Sequence, residues 1–140
     1  MTSRLNPYIS YPGTARQAME FYRGVFGGEL NLSTFGEFGG AGGPDGPDPD
    51  GIMHAQLETP SGYTIMASDT PPGMNVTTGT NISVSLSGDD ADALRGYFHK
   101  LSDGGSVTMP LEKQMWGDEF GMVTDPFGVS WMVNITQSAG

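Results

Sequence analysis

Residues 60–66 read Pro-Ser-Gly-Tyr-Thr-Ile-Met, and residues 126–132 read Pro-Phe-Gly-Val-Ser-Trp-Met. Both fit Pro-x-Gly-x-x-apolar-Met and stand 66 residues apart, so the chain writes one local structure twice. Upstream of each copy lies an apolar strand, then a helix carrying an aromatic pair: Phe21-Tyr22 in the first half, Tyr97-Phe98 in the second. Two similar halves folding onto each other leave a cleft, and function is expected there.

Working outward from the first copy, Tyr8-Ile9-Ser10-Tyr11 is a short extended run stopped by Pro12-Gly13. Thr14 is the expected N-cap of a helix with Ala15, Ala18, Met19, Tyr22 and Phe26 on one face, ended by Gly27-Gly28. Residues 29–35 form a second strand. Segments 52–57 and 63–67 form a hairpin around Thr59-Pro60-Ser61-Gly62.

The second half repeats this grammar. Residues 81–86 alternate polar and apolar as a half-buried strand does. Asp89-Asp90 opens a helix with Ala91, Leu94, Tyr97, Phe98 and Leu101 inward, closed by Gly104-Gly105. A strand over 106–111 follows, then a hairpin of 121–124 and 129–134 around Asp125-Pro126-Phe127-Gly128. The order is strand, helix, three strands, twice: an α+β chain with modules at 6–70 and 80–136 inside one domain, 1–140. The aromatic pairs are offset by 76 residues rather than 66. Most of that difference is the stretch 36–51, GEFGGAGGPDGPDPDG, where Pro44, Pro47 and Pro49 bar a helix or a ladder.

Bulk composition narrows the function. A 140-residue chain of mean hydropathy -0.27 suits one globular domain, burying roughly 70% of its unfolded surface. No run approaches the ~20 apolar residues of a membrane span, and the N-terminal residues show no secretory h-region. Four Asn-x-Ser/Thr triplets, at Asn31, Asn75, Asn81 and Asn134, are then chance matches. Cysteine is absent, which removes disulfides and thiolate chemistry and fits a cytoplasmic location. With a net charge of -10 and only six Lys and Arg, the chain lacks the basic clusters that grip phosphate, so neither nucleic acid nor an anionic membrane is an expected partner.

Two βαβββ units in a chain of this length resemble the vicinal oxygen chelate superfamily, which includes glyoxalase I, extradiol dioxygenases and bleomycin-resistance proteins. Asn6-Pro-Tyr-Ile-Ser, Glu20-Phe-Tyr-Arg-Gly-Val-Phe-Gly27, Ile52-Met-His-Ala-Gln-Leu57, Met66-Ala-Ser-Asp69 and Trp116-Gly-Asp-Glu-Phe-Gly-Met-Val-Thr-Asp-Pro-Phe-Gly-Val-Ser-Trp131 resemble its PhnB-like branch, often labelled 3-demethylubiquinone-9 3-methyltransferase-like. The resemblance implies two edge-to-edge βαβββ modules curling into an eight-stranded open cleft, and commonly a homodimer.

Metal-using relatives take one ligand from the first strand and one from the last strand of each module, usually His, Gln or Glu. The resemblance maps the last-strand positions onto Met66 and Met132, and the first-strand positions near Tyr8 and Ser83. None of these is a His, Glu or Asp, and hard divalent ions bind a thioether poorly. A register error of one residue brings in Ile65 or Ala67, and Trp131 or Val133, which are no better. The expectation is that the inherited metal site is lost and no cofactor is held. His54, within a strand, is read as structural or pocket-lining, and His99 as a solvent-facing residue near a helix C-terminus.

Two other chemistries fail on the residues. The glycines of 39–46 lack the following helix that a nucleotide or S-adenosylmethionine loop needs. A calcium loop at 48–51 would start on Gly46 and end on Leu57 rather than Glu. The expected function is therefore metal-independent binding of a small organic ligand. Tyr8, His54, Met66, Ser68, Ser83, Trp116, Phe120, Trp131 and Met132 would line its cleft, with Asp118 and Glu119 beside it. The alternatives are a metal-dependent lyase, isomerase or dioxygenase using His54 with Glu58, and a dimer whose cleft is filled by its own methionines.

Overall fold

A computed structural model describes residues 5–36, 50–70, 79 and 81–136. Most of the Gly/Pro stretch, 37–49, lies outside the described residues, and with it the rejected nucleotide loop at 39–46 and the start of the rejected calcium loop, whose later residues enter β3. The chain divides into two compact units, 1–77 and 78–140, each carrying one βαβββ module.

The first module comprises β1 (Tyr8–Tyr11), α1 (Ala15–Phe26), β2 (Glu29–Thr34), β3 (Ile52–Glu58) and β4 (Thr64–Asp69). Its sheet has the order β1-β4-β3-β2, with β1 parallel to β4 and the other pairs antiparallel. The predicted helix face is the buried one: Ala15, Ala18, Met19, Tyr22 and Phe26, joined by Val25, are all inaccessible. They cover Tyr11, Ala55, Leu57, Ile65 and Ala67, the residues of one parity on their strands, as period-two alternation requires. The Tyr11 and Tyr22 hydroxyls meet at 2.7 Å within this layer, so neither phenol is buried without a partner.

The start of α1 differs from expectation. Thr14 occupies the N-cap position but makes no side-chain cap. The Ala15 N–H instead donates to Asp69 Oδ1 at 2.8 Å, and the Ile52 N–H donates to Asp69 Oδ2 at 2.9 Å. Asp69, buried at the end of β4, thus caps the helix from 54 residues away and holds the start of β3 in the same carboxylate.

The second module comprises β5 (Val84–Gly88), α2 (Ala91–Ser102), β6 (Ser106–Lys113), β7 (Glu119–Thr124) and β8 (Ser130–Ile135), in the sheet order β5-β8-β7-β6. β5 starts three residues later than predicted, leaving Asn81 and Ile82 exposed. β6 and β7 run on to their hairpin tip, because Lys113 still pairs with Glu119. Leu94, Phe98 and Leu101 of α2 are buried, whereas Ala91 and Tyr97 are only partly so, giving a narrower apolar stripe than the sequence suggested. Of each aromatic pair, the second member is the buried one, Tyr22 and Phe98.

The repeated Pro-x-Gly turns are built alike. Gly62 N–H donates to Thr59 O and Gly128 N–H to Asp125 O, both at 3.0 Å, and each glycine has a positive φ, 87° and 89°. The residue before the proline adds a side-chain acceptor. Thr59 Oγ1 accepts the Tyr63 N–H at 3.0 Å, while Asp125 Oδ1 accepts the N–H groups of Phe127 and Val129.

The Gly-Gly pairs do more than end helices. A Cβ on Gly28 would stand 2.1 Å from the Glu58 carbonyl oxygen, and one on Gly105 would stand 2.2 Å from that of Thr124. In both modules the chain leaving the helix presses against the strand end that precedes the turn. Asp69→Asn removes one of two carboxylate acceptors and should lower stability by about 1–3 kcal/mol in urea unfolding. Gly28→Ala should destabilise by more than that range's lower end, about 1 kcal/mol, because a backbone oxygen cannot yield. Gly24→Ala, exposed in the last turn of α1 with nothing within 4 Å of the new Cβ, should instead stabilise by up to about 0.5–1 kcal/mol in the same assay.

Candidate functional site

Each helix covers one face of its sheet, and the residues of opposite parity make the other, open face. In the first module that face carries a row running across all four strands, Tyr8–Met66–Gln56–Asn31, each member paired in register with the next. Beside it lie Ser10 paired with Ser68, and His54 paired with Ser33. The rings of Tyr8 and His54 approach to a centroid distance of 5.9 Å at a tilt of 36°. Four of the expected residues, Tyr8, His54, Met66 and Ser68, are therefore brought together on one surface. It is rich in hydrogen-bonding groups, and its Tyr8 is 51% exposed.

The open face of the second module has a different chemistry. Its central row is Ser85–Met132–Met122–Met109, again crossing all four strands. The next row along is Ser87–Asn134–Phe120–Glu112. Phe120 meets Trp116, on the β6–β7 hairpin, edge to face at 6.2 Å between centroids. Trp116 is 62% exposed, held in a turn closed by the Gln114 N–H to Asp118 O and the Gly117 N–H to Gln114 O bonds. Asn134 Nδ2 donates to Asp118 Oδ2 at 3.1 Å, fixing the amide at this rim.

Three expectations need correction. Trp131 lines no open surface: it has the parity of Val133 and Ile135, is 1% exposed, and packs under α2. Its indole Nε1–H donates to Asp125 Oδ2 at 2.9 Å, so the turn carboxylate and the core tryptophan form one unit. Ser83 lies just before β5, and the residue that pairs with Met132 as Tyr8 pairs with Met66 is Ser85. Glu119 sits on the helix side, in line with Ile135, and is engaged by the Arg95 guanidinium. The Glu119 hydrogen bond, followed by its charge, raises the Arg95 pKa from its ordinary value.

The donor chemistry bears on metal binding. Tyr8 with Met66, and Ser85 with Met132, are the first-strand and last-strand pairs of the two modules. A phenol, a hydroxyl and two thioethers are a poor set for a hard divalent ion. His54 and Glu58 stand four residues apart on one continuous strand, roughly 13 Å along it, too far to share an ion. Among the described residues no three His, Asp or Glu side chains come together in a way that suits a metal.

Two grooves open elsewhere, and none of the nine expected residues lines either. One of about 340 Å³ lies beside the start of α1, among Arg16, Phe35, Asp50 and Ile52. The other, about 420 Å³, lies between α2 and β6, among Phe98, His99, Val107 and Leu111. Both are on the helix side of their sheets, away from the open faces where the aromatic and methionine side chains gather.

Gln56, Asn31 and Asn134 were absent from the sequence-based set. Alternation along β3, where His54, Gln56 and Glu58 interleave with Ala55 and Leu57, carries the signal for Gln56. Met122 and Met109 were legible only through the pairing of β7 with its neighbours.

A family model described as the Glyoxalase/Bleomycin resistance protein/Dioxygenase superfamily matches residues 4–133. Protein YjdN of Escherichia coli (strain K12) is 30% identical over 142 residues, 95% of this chain and 95% of the relative. Among solved structures, protein PA1353 from Pseudomonas aeruginosa matches with a TM-score of 0.83 at 37% identity, over 98% of this chain and 100% of that one. The Bacillus cereus PhnB protein, provisionally designated a 3-demethylubiquinone-9 3-methyltransferase, matches with a TM-score of 0.76 at 25% identity, over 96% and 100% of the two chains. Among the described residues no helix is long and apolar enough to cross a membrane.

The role assigned to Trp131 has a direct check. Trp131→Phe should cost about 1–3 kcal/mol in unfolding, since it leaves a buried carboxylate oxygen of Asp125 short of a donor. Ligand affinity in the folded variant should match that of the parent.

Proposed function

The chain belongs to the glyoxalase/bleomycin resistance protein/dioxygenase superfamily, and from that premise we propose that it is a binding protein for small organic molecules, working without a hard divalent metal ion. The observation that carries this reading is the pair of register partners, Tyr8 with Met66 and Ser85 with Met132, which supply no imidazole or carboxylate. A surface of thioethers and aromatic rings favours apolar and planar groups, because methionine adapts its shape and an aromatic ring offers a broad stacking face. Each open face also carries groups for directional contacts, Ser10, Ser68 and Gln56 in the first module and Ser85, Ser87 and Asn134 in the second.

Trp116 is the leading contact in this reading. It is large, exposed and braced by Phe120. Methyl transfer is not part of the proposal, since the glycine-rich stretch is interrupted by Pro44, Pro47 and Pro49 and the next element among the described residues is the strand β3. A metal-dependent lyase, isomerase or dioxygenase would need donors other than His54 with Glu58. The homodimer and the cytoplasmic location are also proposals, resting on the resemblance and on the cysteine-free composition.

A thermal-shift screen of planar organic compounds, followed by tryptophan fluorescence titration, tests the reading. A true ligand should raise the melting temperature and change Trp116 emission. Trp116→Ala should then weaken binding about three- to tenfold, the loss of roughly 0.5–1.5 kcal/mol of aromatic contact, with stability unchanged. Stoichiometric zinc, nickel, manganese or iron retained after dialysis would overturn it.

A further inference from the structure

β6 is the outer strand of the second sheet, and its pairing with β7 shifts register twice, between Val107 and Met109 and again between Met109 and Glu112. The first shift has a specific consequence. Val107 pairs with Val123, so an uninterrupted antiparallel ladder would set Thr108 opposite Met122. The extra residue sets Met109 there instead. Bulges bend a strand and re-aim side chains, and this one completes a row of three methionines, Met109–Met122–Met132, on three adjacent strands.

We propose that these three thioethers form a binding site for a soft monovalent cation, Cu(I) or Ag(I). Thioether sulfur is a soft, neutral donor that suits such ions and discriminates against magnesium, calcium or zinc. The chain contains no cysteine, so methionine is the sole soft donor it has to offer. Side chains directly opposite each other on an antiparallel pair have Cβ atoms roughly 4.5–5.5 Å apart. Each methionine sulfur lies two bonds further out on an unbranched, freely turning stem. The sulfurs of Met109 and Met132 can therefore lean over Met122 from its two sides.

The surroundings suit a cation. Met109 is 41% exposed and Met122 and Met132 are partly so, so none of the three residues is sealed in the core. Phe120 lies two residues from Met122 on the same face, and Trp116 abuts it, so aromatic rings flank the row. The net charge of -10 biases the whole surface toward cations. The first module provides an internal contrast: its corresponding row, Tyr8–Met66–Gln56–Asn31, holds a single thioether.

The experiment uses the full chain with carbon-13 in the methionine methyl groups. Ag(I) is titrated in chloride-free buffer, and Cu(I) anaerobically against a competing chelator. The expected result is a single equivalent of either ion that moves the methyl resonances of Met109, Met122 and Met132 and leaves Met66 in place, while Zn(II) moves none. Met122→Leu, a volume-conserving change, should weaken silver binding about tenfold or more with the fold intact by circular dichroism. Should that variant fail to fold, Met109→Leu at the exposed sheet edge should weaken it at least about threefold. The proposal is overturned if silver leaves the three resonances unmoved, if it moves the exposed Met115 equally, or if the leucine variant that folds binds as the parent does. It does not rest on the organic-ligand reading, and a silent silver titration leaves that reading as it stands.

Discussion

One helix can cover only one face of a four-stranded sheet. That constraint governs both modules. Residues of one parity are packed under the helix as a continuous apolar layer, and residues of the other parity must live without helical cover. Twelve-residue helices bury Tyr22 in one unit and Phe98 in the other against Leu57, Ala67, Val123 and Val133. The opposite parity gives Tyr8, His54, Gln56 and Met66 in the first unit, and Ser85, Met109, Met122 and Met132 in the second. The location of any site on these sheets follows from where the helix is not.

The two modules share a scaffold and diverge in what they hang on it. Shared are the turn with its positive-φ glycine, the side-chain acceptor at the turn's head, and the second glycine of the helix-ending pair pressed on the end of the strand that leads into that turn. The acceptor is a hydroxyl in one case and a carboxylate in the other. The carboxylate can serve a second donor, so Asp125 also holds the indole of Trp131, which Thr59 could not do for a tryptophan in the first module. Asp69 has no such counterpart either, and it ties α1 to β3 in the first unit alone. The two modules share backbone constraints, which any sequence in this fold must satisfy, and differ on their open faces, polar in the first module and rich in sulfur in the second.

Element existence was largely legible before any coordinates. Helical spacing of Ala15, Ala18, Met19, Tyr22 and Phe26 identifies the buried face of α1, to which the structure adds Val25, because every third or fourth residue must return to the same side. The open-face positions Tyr8, His54, Met66 and Met132 were found too, by spacing from a turn glycine and by resemblance. Trp131 cannot share a face with Met132, because strict alternation along β8 puts the two side chains on opposite sides of the sheet. Thr14 stands at the N-cap of α1 as its sequence implies, but the side chain that receives the first N–H is Asp69, since a local rule cannot see a carboxylate arriving from the far end of another strand. Glu119, adjacent in sequence to Asp118, ends on the opposite face and finds Arg95 instead of the open side.

The amino-acid sequence alone determined the order of elements, the duplication and the parity of most strand residues, because all three are consequences of period and of turn chemistry within a few residues. It also showed Met66 and Met132 at equivalent places after the two turn glycines, Gly62 and Gly128. Tertiary structure decided which residues from different strands become neighbours. Met109 reaches Met122 only because β6 bulges against β7, and Asp69 reaches Ala15 only because β4 lies parallel to β1. Register is a property of the pair of strands and not of either one, so a chain read in a single line cannot state it.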